Sequence, residues 1–379
     1  MRAPLLLTNA TLVLPGEVIR GTLSAEDGRI AAIGAGASSA AGAVDLEGDY
    51  ILPGAIDVHT DNLERQVQPR SGTRWPSRSA FLAHDAQCAA AGITTVLDSL
   101  CVGDLGFDED RPRTCVEGAA DMAALAPTGL LRAEHYLHLR CELPAAGMLD
   151  QLAALADHPL LRMVSLMDHT PGFGQYADVE RYRAMRLRDG DAADSIDARI
   201  AALHAQRARE LGPNRAGLLA MMRNRFCVVA SHDDRDAEDV AANLRDGIPV
   251  AEFPVTLEAA VAARRGGQVV VAGAPNLVRG FSHTGNVSVA ALLAADTVDA
   301  LASDYVPCSL IEAAFIAHAR LGWDLPRAVA LVTAAPARLA GFTDRGALAV
   351  GLRADLVRVR LHDGAPVVRA AWRGGERVA

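Results

Sequence analysis

The chain of 379 residues contains no lysine: all 37 basic residues are arginine. Chemistry that needs a side-chain amine is therefore excluded. A pyridoxal or aldolase Schiff base, a P-loop lysine on a nucleotide phosphate and a carboxylated-lysine bridge between metals all require one. Aromatic residues make up only 4%. The six cysteines, Cys88, Cys101, Cys115, Cys141, Cys227 and Cys308, include no C-x-x-C pair, so reduced thiols are expected rather than a disulfide framework or a redox motif. No run approaches the roughly 18 uninterrupted apolar residues that a membrane span needs. The apolar stretch Leu5 to Leu14 is broken by Thr8, Asn9 and Thr11 and followed by Pro15-Gly16; it does not read as a secretory leader, and a cytoplasmic location is expected. A formal charge of -9 denies the chain the electrostatic footprint of a nucleic-acid binder.

With 50% hydrophobic residues, a folded core is expected rather than disorder. The first fifty residues alternate short β-type runs with turn signals, among them Pro15-Gly16 and Asp27-Gly28, and the tail from about Gly346 does the same. Neither end can bury a core alone. We expect residues 1–50 and 341–379 to pair into one small β-domain. Between 51 and 340 apolar strands alternate with Ala-, Leu- and Arg-rich helical stretches. The strand candidates are Ala55 to Thr60, Ile93 to Ser99, Tyr136 to Glu142, Met163 to His169, Cys227 to His232, Ile248 to Phe253, Val269 to Ala274 and Leu301 to Asp304. Eight strands with crossover helices close a TIM (β/α)8 barrel, with an open doubly wound sheet as the structural rival. A long excursion at about 170–226 interrupts the rhythm. It carries expected helices at Leu203 to Leu211 and Ala216 to Arg225, and its arginines read either as a solvated, ion-paired face or as a lid over an anionic substrate.

The chemistry-bearing residues fall where these strands end. His59-Thr60-Asp61, Asp98, Glu142, Asp168-His169, Ser231-His232-Asp233, Glu252 and Ser303-Asp304 come from seven of the eight, and the C-terminal rim is where barrel enzymes place catalysis. Imidazoles and carboxylates converging there suit a borderline divalent cation: zinc first, with manganese and iron sharing the donor preference. His59 and Asp61, two apart on a strand, face the same side. The other histidines, His84, His135, His138, His158, His204, His318 and His362, sit near helices or away from strand ends and receive no site role. Gly34-Ala35-Gly36 lacks the rest of a dinucleotide fingerprint, and Gly280-Phe281-Ser282-His283-Thr284-Gly285 is one residue too long for a nucleophile elbow.

The strings Leu52-Pro53-Gly54-Ala55-Ile56-Asp57-Val58-His59 and Gly351-Leu352-Arg353-Ala354-Asp355-Leu356-Val357 resemble the amidohydrolase superfamily. His59-Thr60-Asp61-Asn62-Leu63-Glu64, Ala230-Ser231-His232-Asp233-Asp234, Gly273-Ala274-Pro275-Asn276, Ser282-His283-Thr284-Gly285-Asn286 and Ser303-Asp304-Tyr305-Val306-Pro307 are similar to its phosphonate-metabolism branch. That resemblance implies a distorted TIM barrel with a small β-sandwich and a centre of one or two divalent metal ions. It also implies hydrolysis of α-D-ribose 1-methylphosphonate 5-triphosphate to the 5-phosphate and diphosphate in the carbon–phosphorus lyase pathway. The superfamily's usual H-x-H here reads His59-x-Asp61, and its strand-4 lysine is missing. The expected ligands are His59, Asp61, Glu142, His169, His232 and Asp304, with Glu142 as the bridging carboxylate and Glu252 its competitor. Asp304 is expected to take the proton of the attacking water. Asn62, Glu64, Arg279, Ser282, His283 and Asn286 are expected at the phosphorylated ribose phosphonate, a small-molecule partner; neither nucleic acid nor membrane is expected, and a homo-oligomer is compatible with the sequence. A cyclic amidase or deacetylase on this scaffold, or a non-catalytic subunit of a phosphonate-processing assembly, are the alternative readings.

Overall fold

The structure, a computed structural model, describes residues 4–106, 110–282 and 285–379. Eight parallel strands lie side by side in chain order: β1 Ala55–Thr60, β2 Ile93–Val102, β3 Glu134–Glu142, β4 Leu161–Met167, β5 Val228–His232, β6 Val250–Glu252, β7 Val269–Gly273 and β8 Ala300–Ala302. Their near-continuous apolar and β-branched character follows from burial on both faces. All ten residues of β2 are buried. Ile56, Val58, Leu97, Met163, Ala230, Val250 and Val271 pack inside the barrel. The helices that follow the strands cover the outside, and several start on side-chain caps: Asp236, Thr256, Ser288 and Asp324 each accept from a backbone N–H in the first turn.

The ring is drawn together beside the future site. Asp304 N donates to His59 O at 2.9 Å, Asp61 N to Asp304 O at 3.0 Å and Thr60 Oγ1 to the same carbonyl at 2.9 Å. Deeper down, Asp57 Oδ1 accepts from Ser303 N at 3.0 Å. β6 and β8 are shorter than the sequence suggests because Phe253 and Asp304 have φ of 52° and 55°. The left-handed region ends extended pairing and is costly for a bulky residue such as phenylalanine. Asp233, after β5, has φ 57°. These three residues all border one cavity.

Both chain ends enter a second, mixed sheet in the order Glu376–Arg377, Ala365–Arg373, Leu356–His362, Tyr50–Pro53, Leu5–Val13, Val18–Glu26 and Arg29–Ala35, with Val44–Asp45 beside Leu5–Val13. It wraps a core that includes Leu7, Leu12, Leu23, Ile51, Leu356 and Trp372. Buried Asp49 ties the ends together by accepting from Arg358 at 2.5 Å and from Arg360 at 2.7 Å. Gly21 is required by close approach, since a Cβ there would lie 2.3 Å from Gly34 O.

The excursion departs from expectation. Instead of two helices separated at Gly212-Pro213, a single helix runs from Ala193 to Met222 with Pro213 inside it. Proline forfeits one backbone hydrogen bond, and neighbouring tertiary contacts compensate. Asn214 donates to Leu143 O at 2.7 Å and to Ala145 O at 3.0 Å, while Leu203, Leu218 and Met222 are buried against the barrel. Many of its arginines are ion-paired, among them Arg183 to Asp197 at 2.7 Å, Arg186 to Asp191 at 2.6 Å and Arg207 to Asp168 at 2.6 Å. Arg181, on helix Val179–Arg188, sits against Gly285, where a Cβ would meet its guanidinium at 1.6 Å.

Candidate metal centre

A cavity of about 240 Å³ opens over the C-terminal ends of the barrel strands. His59 and Asp61 reach it from β1, His169 from the turn after β4, His232 from the end of β5 and Asp304 from the turn after β8. The rings of His59 and His232 have centroids 5.6 Å apart, and those of His169 and His232 6.2 Å. Arg279, Ser282 and Asn286 contribute to the wall after β7.

Two of these imidazoles are backed by buried glutamates. His169 donates from its backbone N to Glu142 Oε1 at 2.9 Å, and its Nδ1 lies 2.6 Å from Oε2. His59 Nδ1 lies 3.1 Å from Glu252 Oε1. A carboxylate on Nδ1 fixes the ring and directs Nε2 away from it, which is the arrangement by which proteins orient metal-binding histidines. Around them, buried polar atoms lack hydrogen-bond partners: Asp61 Oδ1, Glu252 Oε2, both ring nitrogens of His232, and Nε of Arg111 and of Arg140. His232 Nδ1 does approach Asp233 Oδ2 at 2.9 Å, but outside hydrogen-bonding geometry. Each buried polar atom left unpaired costs about 1–3 kcal/mol. Lone pairs of imidazole and carboxylate facing one space are also what a divalent cation uses, so the residues present fit such an ion. His59, His232 and Glu252 place one donor atom each within 4.8 Å of one another.

Burial and mutual charge set the protonation preferences. Burial and the adjoining Asp61 carboxylate push Asp304 up to about 8. Burial, assisted by the Arg140 guanidinium, holds His59 far below the usual imidazole range. Burial also opposes a charged His232, but the carboxylate of Asp233 outweighs it and the net direction is upward. Burial opposes the charged form of Asp61, but the Arg140 guanidinium, 3.0 Å away, together with the neighbouring His59 and Arg111 outweighs it and holds the acid down.

Several expected residues stand elsewhere. Glu142 does not border the cavity; both its oxygens serve His169, behind that ring rather than at the expected bridging position. Asn62 turns away from the rim, and its amide donates to Gln87 at 3.0 Å and pairs with His84 Nδ1 at 2.9 Å. Glu64 does not border the cavity either, but stands 3.3 Å from Arg111 Nε, which does. His283 lies outside the described residues. Asp98, grouped with the rim by its place on β2, points into the helix layer. There its two oxygens hold His84 Nε2 at 2.6 Å and His135 Nδ1 at 2.8 Å.

Other residues at the site escaped sequence reasoning. Arg140, two places before the end of β3, and Arg111, the first residue of helix Arg111–Leu125, both border the cavity. Nothing local separates them from the other 35 arginines of the 37. Asp233 was visible in the Ser231-His232-Asp233 string and stands between two imidazoles, 4.0 Å from His169 Nε2. His138 lies under the site, its ring edge-on to His59 at 4.9 Å and its Nε2 2.9 Å from Ser165 Oγ.

No protein-family model matches the chain. Among solved structures, N-acetyl-D-glucosamine-6-phosphate deacetylase from Mycobacterium smegmatis aligns over 100% of both chains with a TM-score of 0.67 and 18% identity. Dihydropyrimidinase from Brevibacillus agri aligns over 99% of this chain and 95% of its own, with a TM-score of 0.64 and 13% identity. At such identities these matches establish the fold alone. A D-hydantoinase from Ralstonia pickettii shares 24% identity over 206 residues, 51% of this chain and 41% of that protein. The alpha-D-ribose 1-methylphosphonate 5-triphosphate diphosphatase of Escherichia coli K12 is 40% identical over 99% of this chain and 100% of its own length. On that full-length match, the chain belongs to the family of alpha-D-ribose 1-methylphosphonate 5-triphosphate diphosphatases.

Proposed function

We propose that the protein hydrolyses α-D-ribose 1-methylphosphonate 5-triphosphate to the 5-phosphate and diphosphate. The observation that carries this reading is the 40% identity to the diphosphatase over the whole of both chains. The cavity supports it with histidine and carboxylate donors whose buried atoms lack partners, and with three arginines, Arg111, Arg140 and Arg279, on its wall.

His59, Asp61, His169, His232 and Asp304 would hold one or two divalent ions, with Glu252 close enough to His59 to join them. Their mixed nitrogen and oxygen donors suit zinc, and manganese and iron share that preference. A bound cation supplies a water activated near neutral pH and charge stabilisation for phosphoryl oxygens. The chain's own groups do the positioning on which phosphoryl transfer depends. Glu142 and Glu252 fix the imidazoles, Asp304 accepts the proton of the attacking water, and Arg279, Ser282 and Asn286 bind phosphate or phosphonate oxygens. The enzyme acts on a small molecule. No helix among the described residues is long and apolar enough to cross a membrane, and the six cysteines are unpaired, which fits a reducing cytoplasm.

Phosphorus NMR of the triphosphate incubated with the protein should show diphosphate and the 5-phosphate in equal amounts. Elemental analysis of protein purified without added metal should find a stoichiometric divalent ion. Near-normal diphosphate release from metal-free protein would reject the reading. Activity on an N-acyl or dihydropyrimidine compound without diphosphate formation would favour an amidase instead.

A further inference from the structure

We propose that the cavity is divided by charge: Arg111 and Arg140 grip the departing diphosphate, while the wall around Arg279 takes the ribose-phosphonate end. The proposal rests on the diphosphatase reading and names the leaving-group subsite within it.

Arg140 stands on β3 and Arg279 in the connection after β7. Four strands apart in a ring of eight, these are opposite walls. The β3 wall carries two guanidinium groups, each beside a carboxylate, against one on the opposite wall. Arg140 is buried, with 9% of its side chain exposed, and donates from Nη1 to Asp61 Oδ2 at 3.0 Å. Arg111 faces one carboxylate, Glu64, at 3.3 Å. The Nε atom of Arg140 is buried without a hydrogen-bond partner, while that of Arg111 is the atom facing Glu64. A guanidinium offers five N–H donors in a rigid fork that matches phosphate oxygens, so one carboxylate apiece leaves donors for an anion. The Arg279 wall is different. That arginine is exposed, stacks on Phe281 with its guanidinium 4.7 Å from the ring centroid and donates to Tyr305 Oη at 3.3 Å. Phe253, Val287 and Leu292 give this side an apolar surface. One cation beside apolar surface suits a sugar carrying a singly charged phosphonate ester, and two guanidinium groups, Arg140 buried and Arg111 half-buried, suit the several charges of the β- and γ-phosphates.

In the step itself the water oxygen bonds to the α-phosphorus. The bond from that phosphorus to the α,β-bridging oxygen breaks, its electron pair stays on the departing diphosphate, and the water's proton passes to Asp304. Charge therefore accumulates at the oxygen nearest Arg111 and Arg140, where charge-assisted hydrogen bonds strengthen as the bond lengthens.

The test is product inhibition of the full-length enzyme by diphosphate and by the ribose 5-phosphate product, in Arg111→Gln and Arg279→Gln. Losing a hydrogen bond to a charged group corresponds to about tenfold or more in affinity. Arg111→Gln should weaken diphosphate inhibition by about that factor and leave inhibition by the ribose product unchanged, and Arg279→Gln should do the reverse. Unchanged diphosphate inhibition in Arg111→Gln, or equal weakening of both products in both variants, would overturn the division. If wild-type enzyme releases no diphosphate, the diphosphatase reading falls by itself. Calorimetric titration of diphosphate into wild type, Arg111→Gln and Arg140→Gln then still decides the cradle, and equal affinity in all three overturns it.

Discussion

Two buried groups of histidines and acids lie on opposite sides of the same barrel wall, and they differ in one respect. In the helix layer, Asp98 gives one oxygen to His84 and the other to His135. His135 Nε2 lies 3.2 Å from Asp85 Oδ1, and Asp85 in turn accepts from the backbone of Arg132 and Ala133. Asn62 completes the chain on His84. None of these side-chain atoms is left without a partner. Inside the rim, His232, Asp61 and Glu252 keep buried atoms with none. Both groups have metal-ligand composition, so composition cannot separate them. Hydrogen-bond satisfaction can: a saturated network rigidifies the fold, whereas an unsatisfied one leaves buried donors and acceptors open to water or an ion.

The largest effect should come from breaking the unsatisfied group. Asp304→Ala should lower turnover by roughly 10²–10⁴-fold, and His59→Ala should lose bound metal as well. Both should keep wild-type circular dichroism, and a collapse of the fold would put these residues on the structural side of the comparison. Removing the shared acid of the saturated group should do the opposite. Asp98→Ala strips both histidines of a buried acceptor and should cost about 3–5 kcal/mol of stability, read by denaturant unfolding, with metal content per folded molecule unchanged. Loss of a stoichiometric ion from that variant would make the second group a metal site and erase the distinction. Between these extremes, Glu142→Gln keeps the shape but weakens the grip on His169. Metal affinity should fall by about 10–100-fold, measured by competition with a chelator; affinity unchanged from wild type would remove Glu142 from the support of the site.

The barrel was legible because its strands are buried on both faces and leave continuous apolar runs, and all eight fall within a few residues of where the sequence puts them. The convergence of His59, Asp61, His169, His232 and Asp304 on one cavity was legible because they stand at strand ends, where topology alone brings distant residues together. What the sequence hides is the direction of a side chain. Asp98 and Asp61 are both acids on or just after barrel strands, yet one faces the helices and the other the cavity; the register shift between β1 and β2 beyond Asp57 is not readable from alternation. Asn62 was assigned to the substrate from its string and instead serves His84, because it begins a helix that turns away from the rim. Arg111 and Arg140 carried no local signal in a chain where arginine does all the basic work. The continuous helix through Pro213 shows tertiary anchoring by Asn214 overriding a breaker that local reasoning weighs heavily.

The smallest effect concerns the charge that the saturated group traps. Burial opposes a proton on His135, but Asp98 and Asp85 outweigh it and raise the group to about 9. Its folded value thus lies above the ordinary imidazole value near 6.5. Between those values the folded chain holds a proton that the unfolded chain has released, so stability falls as pH rises, with a limiting slope of about 1.4 kcal/mol per pH unit. The contribution is fully present below about 6.5 and is lost as pH passes through about 9. Above that, neutral His135 can donate to only one of its two carboxylates, and the other is left buried beside a lone pair. Melting temperatures of wild type and His135→Gln between pH 6 and 10 should therefore converge with rising pH, because glutamine carries no titrating proton. Parallel curves would mean that His135 is neutral throughout and that the network is held by hydrogen bonds without the trapped charge.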